Sequence, residues 1–156
     1  AIFMDGSDML MKADIAELWA LRDPYKPVQV VKHDYKTKWP RKYLGTAMEC
    51  DNEDYPRKQW SSVMIMNCMH MSWRQITPEA VQTMTGSQLH QFSWLADDQI
   101  GELPKVWNWL SDEDGPNPDA KLLHFTAGGP LMPRHSTVAH ADDYWRQASR
   151  MNHVTA

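Results

Sequence analysis

Four short and largely apolar segments are spaced along the chain, at residues 1–4, 28–31, 63–66 and 121–125. Apolar runs of this length, bounded by turn-forming residues, are typical of buried β-strands. Helical patterns and polar loops separate them, and this alternation indicates an α/β fold. A chain of 156 residues is long enough to bury a substantial core within one domain.

Helix signals occur at three places outside these segments. Asp14 and Glu17 have the spacing of a capping box. Thr77 followed by Pro78 is a typical helix start, and Gly86 is expected to close that helix. The predicted helices begin at Asp14, Thr77 and Ala141.

Two stretches predict loops instead of regular elements. Residues 36–59 are polar, rich in Lys, Arg and Pro, and have no clear period. A loop of that length is often functional, and we expect its Arg57 and Lys58 to be solvated. Residues 111–118 are acidic and contain Pro and Gly, which predicts an exposed surface loop.

Composition excludes several classes of protein. The net charge of −4 argues against a general nucleic-acid binder, since a phosphate backbone is usually met by clustered cations. No stretch reaches the ~18 apolar residues of a membrane span, and the two cysteines lack metal-binding spacing. We therefore expect a cytoplasmic protein. Because the chain opens with Ala1 inside an apparent buried strand, we also expect that an amino-terminal portion precedes it.

The first apolar segment ends in two carboxylates, Asp5 and Asp8, within the sequence Asp-Gly-Ser-Asp. Ligands of open α/β sheets bind at the carboxyl ends of strands. Carboxylates placed there can hold Mg²⁺ or Mn²⁺ against a phosphate. The alternative interpretation is a simple turn in which the second Asp caps the following element.

Taken in order, four stretches resemble the catalytic half of a GT-A-type nucleotide-sugar glycosyltransferase. The resemblance is to glycosyltransferase family eight, the glycogenin and bacterial galactosyltransferase group. The matching stretches are residues 1–18, residues 60–67, Asp97–Gln99 with the Leu103, Pro104, Trp107 and Asn108 pattern, and His124–Thr126 with Gly128, Gly129 and Pro130. The resemblance implies a Rossmann-like mixed sheet flanked by helices, without the amino-terminal part that grips the nucleotide base.

The resemblance also implies a role for each stretch. Asp5, Asp8 and His124 would bind Mn²⁺ or Mg²⁺ as the cofactor, and a UDP-sugar would be the donor. The sugar would pass to a glycan or another hydroxyl acceptor, and the likeness to family eight favours retention at the anomeric carbon. The remaining assignments are Asp97, Asp98 and Gln99 as catalytic residues, Ser61, Ser62 and Asn67 as donor-sugar contacts, and Lys32, His33, Gly128 and Gly129 as diphosphate contacts.

Three departures from the family pattern stand beside these expectations. The acid motif is Asp-x-x-Asp instead of Asp-x-Asp, the histidine segment lacks a Lys-Pro-Trp ending, and the nucleotide-binding portion is absent from the sequence. Two other classes remain open from the residues alone. One is a metal-dependent nucleotidyltransferase, and the other is a catalytically silent sugar-binding or interaction domain, either of which could form an oligomer.

Overall fold

The computed structural model describes residues 1–152 and contains mixed sheets with helices around them, which confirms the α/β class. Its larger sheet has the strand order β1-β6-β3-β7. These strands are Ile2–Met4 (β1), Val28–Val30 (β3), Val63–Met66 (β6) and Ile100–Glu102 (β7). β6 is antiparallel to β1 and to β3, whereas β3 and β7 are parallel.

A second sheet has the order β2-β9-β8. Its strands are Met9–Met11 (β2), Trp109–Leu110 (β8) and Leu122–His124 (β9). β9 is antiparallel to β2 and parallel to β8, and Met9 is the register partner of His124. This register brings the end of the first acid segment beside the predicted histidine ligand.

The helices are short apart from the last one. They span Ile15–Ala20 (α1), Pro78–Thr83 (α2), Gly86–His90 (α3), Ser111–Asp114 (α4) and Ala141–Asn152 (α5). The side chain of Asp14 accepts the backbone N–H of Ala16, and that of Thr77 accepts the N–H of Ala80. The helices α1 and α2 therefore start at the caps that the sequence predicted.

Three features differ from the sequence-based expectation. Gly86 begins α3 instead of ending α2, because Thr85 and Gln88 form a complete capping box. The supposed surface loop at 111–118 contains α4, in which Ser111 and Glu113 are buried. The long loop at 36–59 holds a small hairpin of Arg41–Lys42 (β4) and Cys50–Asp51 (β5).

The main core joins the two sheets. Leu18 of α1 is fully buried in one cluster with Val63 and Ile65 of β6 and Leu122 of β9. Burying side chains of this kind stabilises a fold by roughly 1.5–3 kcal/mol each. The shared core fixes the relative position of the strand ends that carry the polar residues.

No helix within residues 1–152 is long and apolar enough to cross a membrane.

Candidate functional site

The acid segment is the connection between the two sheets. It follows β1 in the larger sheet and leads directly into β2 of the smaller one. The backbone N–H of Asp5 donates to the carbonyl of Ser62 at 2.9 Å, and the carbonyl of Asp8 accepts the N–H of Phe125 at 2.9 Å. Each end of the segment is therefore anchored to a different sheet.

His124 is buried and held by a chain of hydrogen bonds. Its Nδ1 lies 3.0 Å from Oδ1 of Asn108. The amide nitrogen of Asn108 donates to Oγ of Ser62 at 2.9 Å and to the carbonyl of Gln59 at 3.2 Å. Because a carbonyl can only accept, the amide oxygen of Asn108 must be the atom that faces the ring.

This arrangement fixes which nitrogen of His124 carries the hydrogen. Nδ1 must donate to the amide oxygen of Asn108, so the lone pair of a neutral ring is on Nε2. Nε2 faces Oδ1 of Asp8 at 3.5 Å. That carboxylate oxygen is buried and has no hydrogen-bond partner within the described part of the chain.

When the His124 ring is neutral, two acceptors therefore point at one another in a largely buried place; when it is protonated, Nε2 donates to Asp8 and the two residues form an ion pair. A buried acceptor without a donor costs about 1–3 kcal/mol, and more when it is charged. Only a proton or a cation between the two atoms removes this cost. A proton on Nε2 therefore gives a His–Asp ion pair, and either that proton or a cation would satisfy both atoms.

Asp5, the third predicted metal ligand, is not part of this pair. Its carboxylate is exposed and accepts the hydroxyl of Ser7 at 3.3 Å. Within residues 1–152 no group of three His, Cys, Asp or Glu side chains is placed to hold a metal ion. The structure thus brings together two of the three predicted ligands.

Three residues that the sequence did not single out interact electrostatically with the pair. Burial raises the pKa of Asp112 to about 6, against a backbone N–H from Ala127 and the charge of His124, both of which lower it. Burial also lowers the pKa of Lys42 and raises that of Tyr43, and the charge of Asp8 acts on both groups. These three residues come from a predicted loop and a predicted acidic surface stretch.

His33 also belongs to this polar region. Burial, followed by the charges of Lys105 and His124, lowers the pKa of His33 to about 3. Its Nε2 is buried without a hydrogen-bond partner in the described residues, so a neutral and unsatisfied imidazole lies here. The neighbouring Lys32 turns elsewhere: its ammonium donates to the carbonyl of Asp97 at 3.0 Å and lies 5.6 Å from the Trp60 ring.

Asp97, Asp98 and Gln99 form a turn whose contacts are structural. The carboxylate of Asp97 accepts Nη2 of Arg57 at 2.7 Å and is 78% exposed. The side-chain oxygen of Gln99 accepts the N–H of Ala96 at 2.9 Å. The carbonyl of Asp98 accepts Nζ of Lys26 at 2.5 Å.

The prediction that Arg57 and Lys58 are solvated was wrong. Arg57 also donates to the carbonyls of Phe92 and Leu95, at 2.9 and 2.8 Å. Lys58 is 5% exposed and donates to Oδ1 of Asn52 at 2.8 Å. Both cations bind inward because loop carbonyls and amides need donors.

The predicted donor-sugar residues are separated. Ser61 and Ser62 precede β6, whereas Asn67 follows it. The amide of Asn67 donates to the carbonyl of Pro24 at 2.8 Å, as a turn residue does. Ser62 belongs to the His124 network, and Ser61 shares a hydrogen bond of 3.0 Å with Nδ1 of His90.

The predicted diphosphate glycines follow β9. Gly128 has φ 155°, and a Cβ there would meet the ring of His135 at 2.5 Å, so the position requires glycine. Gly129 has open space at its Cα, and its carbonyl accepts the N–H of Met132. Gly128 thus serves packing, and Gly129 is the one that a ligand can approach.

The chain is accordingly an α/β protein with a carboxylate–imidazole pair where two sheets meet. It is similar to Protein CDI of Arabidopsis thaliana, with 38% identity over 157 residues. The similarity covers 97% of this chain and 59% of the Arabidopsis protein, so the chain spans less than two thirds of that relative. No protein-family model matches the chain, and no solved structure does.

Proposed function

We propose that this chain is the catalytic portion of a metal-dependent glycosyltransferase with a GT-A-like fold. In this proposal it moves a sugar from a nucleoside-diphosphate sugar, a UDP-sugar, to a glycan or another hydroxyl acceptor, with retention at the anomeric carbon and in the cytoplasm. The observation that carries the proposal is the unsatisfied pair of Asp8 and His124. The motif order noted in the sequence supports it.

The pair fits a divalent cation. Oδ1 of Asp8 and Nε2 of His124 are 3.5 Å apart. Neighbouring ligands of a six-coordinate ion with bonds of about 2.1 Å are about 3 Å apart, so a small movement would suit Mg²⁺ or Mn²⁺. Imidazole beside a carboxylate favours Mn²⁺ over Mg²⁺. With only two protein ligands, the ion would rely on diphosphate oxygens and water.

A bound ion would act as a Lewis acid that stabilises the negative charge of the departing diphosphate. The task of the chain is then to hold and surround that charge. Asn108 orients the His124 ring, a positioning role of the kind that metal sites use. Lys42 adds a positive charge near Asp8, and the neutral His33 offers Nε2 to a hydroxyl or phosphate oxygen.

A second candidate is the catalytically silent sugar-binding domain. It is favoured by the turn at Asp97–Gln99, whose side chains serve structural contacts instead of converging on the pair. The lack of a three-ligand group within residues 1–152 favours it as well. The two candidates differ in whether a nucleotide binds through a metal ion.

The test is a calorimetric titration of UDP into the protein with Mn²⁺ and then with EDTA. The proposal expects binding that EDTA abolishes, and that Asp8→Asn and His124→Ala also abolish. Asp5→Asn is the matched control, since its carboxylate is exposed, and it should retain most of the affinity. UDP release from UDP-sugars would then identify the donor. Binding that is unaffected by EDTA, or no binding, would contradict the metal-dependent transferase.

A further inference from the structure

A cavity lies between α4, Trp39 of the 36–59 loop and residues 134–139. It encloses about 300 Å³, the lower end of the range for small-molecule sites. Its lining includes Trp39, Ser111, Asp112, His135 and Thr137. Asp112 connects this cavity to the pair, because its carboxylate accepts the N–H of Ala127, three residues after His124.

The inner wall of the cavity carries unsatisfied polar atoms. Ser111 is 1% exposed and His135 is 8% exposed. Neither Oγ of Ser111 nor Nε2 of His135 has a hydrogen-bond partner within the described residues. The Cδ2–Nε2 edge of the His135 ring packs against Gly128, whereas the hydroxyl of Ser111 belongs to a residue of the cavity lining and is left for a ligand hydroxyl group to pair.

An aromatic ring completes the cavity at its open side. Trp39 is 41% exposed, and its Nε1 donates to the carbonyl of Asp112 at 3.0 Å. This bond holds the indole at the rim. A rigid Trp with one fixed polar end offers a flat apolar surface to a ligand.

We propose that this cavity binds a saccharide. A sugar ring has an apolar C–H face that suits Trp39. It also has hydroxyl groups, each both donor and acceptor, that suit the hydroxyl of Ser111. The role of the saccharide as the acceptor of transfer rests on the proposed function, whereas its binding does not.

The test uses saturation-transfer NMR of the whole chain with EDTA and without nucleotide. The probes are the methyl glycosides of glucose, galactose, xylose and N-acetylglucosamine. Uridine is tested alongside them as a ligand of a different class. At least one glycoside should receive saturation at its ring C–H protons. Trp39→Ala and Ser111→Ala should each reduce that signal at least threefold. Trp39→Phe, which keeps an apolar ring, should restore part of the signal lost in Trp39→Ala.

Trp145→Ala is the matched control, because Trp145 is 45% exposed and lies outside the cavity. Its signal should equal that of the unchanged protein. Silence from all four glycosides, saturation of uridine alone, or equal loss in Trp145→Ala would overturn the proposal. EDTA removes any metal ion in this experiment, so glycoside binding is measured independently of the proposed metal site. Glycoside binding in a protein that does not bind UDP with Mn²⁺ would support the saccharide cavity and contradict only the transferase proposal.

Discussion

Asn108 determines which nitrogen of His124 carries the hydrogen, although Asn108 itself is fully buried. Its amide nitrogen is bound by two oxygens, so its oxygen takes the hydrogen of His124 Nδ1. The lone pair of Nε2 must then face Asp8. Two facing acceptors destabilise the fold, and unsatisfied buried groups of this kind are concentrated at functional sites.

Asp8→Asn should stabilise the metal-free protein. The new amide can donate to Nε2 of His124 and replaces a pair of acceptors by a hydrogen bond worth about 1 kcal/mol. We expect the free energy of unfolding in urea with EDTA to rise by about 1 kcal/mol, and added Mn²⁺ and UDP to raise it no further. Asp5→Asn should stay within about 0.5 kcal/mol of the unchanged protein. A loss of stability in Asp8→Asn would show that the two atoms already share a proton.

Asn108→Leu should weaken metal binding and stability together. The substitution leaves the Nδ1 hydrogen of His124 without an acceptor and frees the ring to turn. We expect a cost of about 1–3 kcal/mol in unfolding and a roughly 10–100-fold weaker Mn²⁺-dependent affinity for UDP.

Ser62→Ala is the comparison for that experiment. It removes one acceptor of the Asn108 amide and keeps the carbonyl of Gln59 as the other. Its loss of UDP affinity should be clearly smaller than that of Asn108→Leu. Equal losses would mean that orientation of His124 does not depend on Asn108.

The pair could be predicted from the family resemblance of its two segments, although the residues alone also allow a simple turn at residues 5–8. The surroundings of the pair could not. Asn108 depends on Gln59 and Ser62, about fifty positions away, and Asp112 is half-buried where α4 packs under the 36–59 loop through contacts such as Lys38 N–H to Glu113. The residues next to Asn108 and Asp112 in the sequence do not indicate these distant partners.

At the scale of elements, Arg57 joins the long loop to the turn at 91–97. Its guanidinium donates to the carbonyls of Gln91, Phe92 and Leu95 and to the Asp97 carboxylate. Arg57 has φ 55°, a left-handed conformation that is uncommon outside glycine. These contacts with backbone carbonyls, more than the acidic residues of the turn, explain why Arg57 lies here.

Arg57→Ala should cost about 2–4 kcal/mol in unfolding, because partly buried carbonyls lose their donor. Asp97→Ala removes only an exposed ion pair and should cost less than about 1 kcal/mol. Chemical denaturation of the two variants gives the comparison. A cost in Asp97→Ala as large as that in Arg57→Ala would contradict the structural interpretation of this turn.

The strong elements were predictable and the weak ones were not. Val63–Met66 was predicted with its observed bounds, since four apolar residues lie between clear polar flanks. β7 was missed because Ile-Gly-Glu lacks a strand pattern, yet Gly101 is required there: a Cβ would come within 2.6 Å of Gln29 Cγ. The hairpin β4–β5 forms through the Arg41–Asp51 and Arg41–Glu49 ion pairs, at 2.8 Å each, not through apolar residues.

At the scale of the molecule, two sheets with one core meet at the segment 5–8. The relative that this chain resembles is longer, and the chain covers 59% of it. An activity of the whole relative therefore need not reside in these residues alone. Asp8, His124 and the residues that hydrogen-bond to them nevertheless all lie within residues 1–152.

Stability should fall in mild acid because of His33. Its folded pKa is lowered to about 3 from 6.5, so the unfolded chain binds a proton first as the pH falls. The resulting stability is complete above pH 6.5 and is lost below it, by about 3 kcal/mol at pH 4.5. Urea unfolding at pH 7 and at pH 4.5 should show a loss of stability that is about 3 kcal/mol larger in the unchanged protein than in His33→Gln.

Asp112 acts in the opposite direction, because its folded pKa is raised to about 6. Its contribution to stability increases as the pH falls from 6 towards 4. The comparison with His33→Gln therefore isolates the histidine, since both proteins keep Asp112. An imidazole signal of His33 that titrates above pH 5 in NMR would contradict the assignment.

The proposed metal-dependent transfer requires that a metal ion binds Nε2 of His124. Electron spin-echo spectroscopy of Mn²⁺ with UDP and the protein detects nitrogen bonded to the ion. We predict a ¹⁴N coupling of an imidazole ligand that disappears in His124→Ala and persists in His33→Gln. A Mn²⁺ spectrum that is free of nitrogen coupling in the unchanged protein would contradict the cation site at Asp8 and His124.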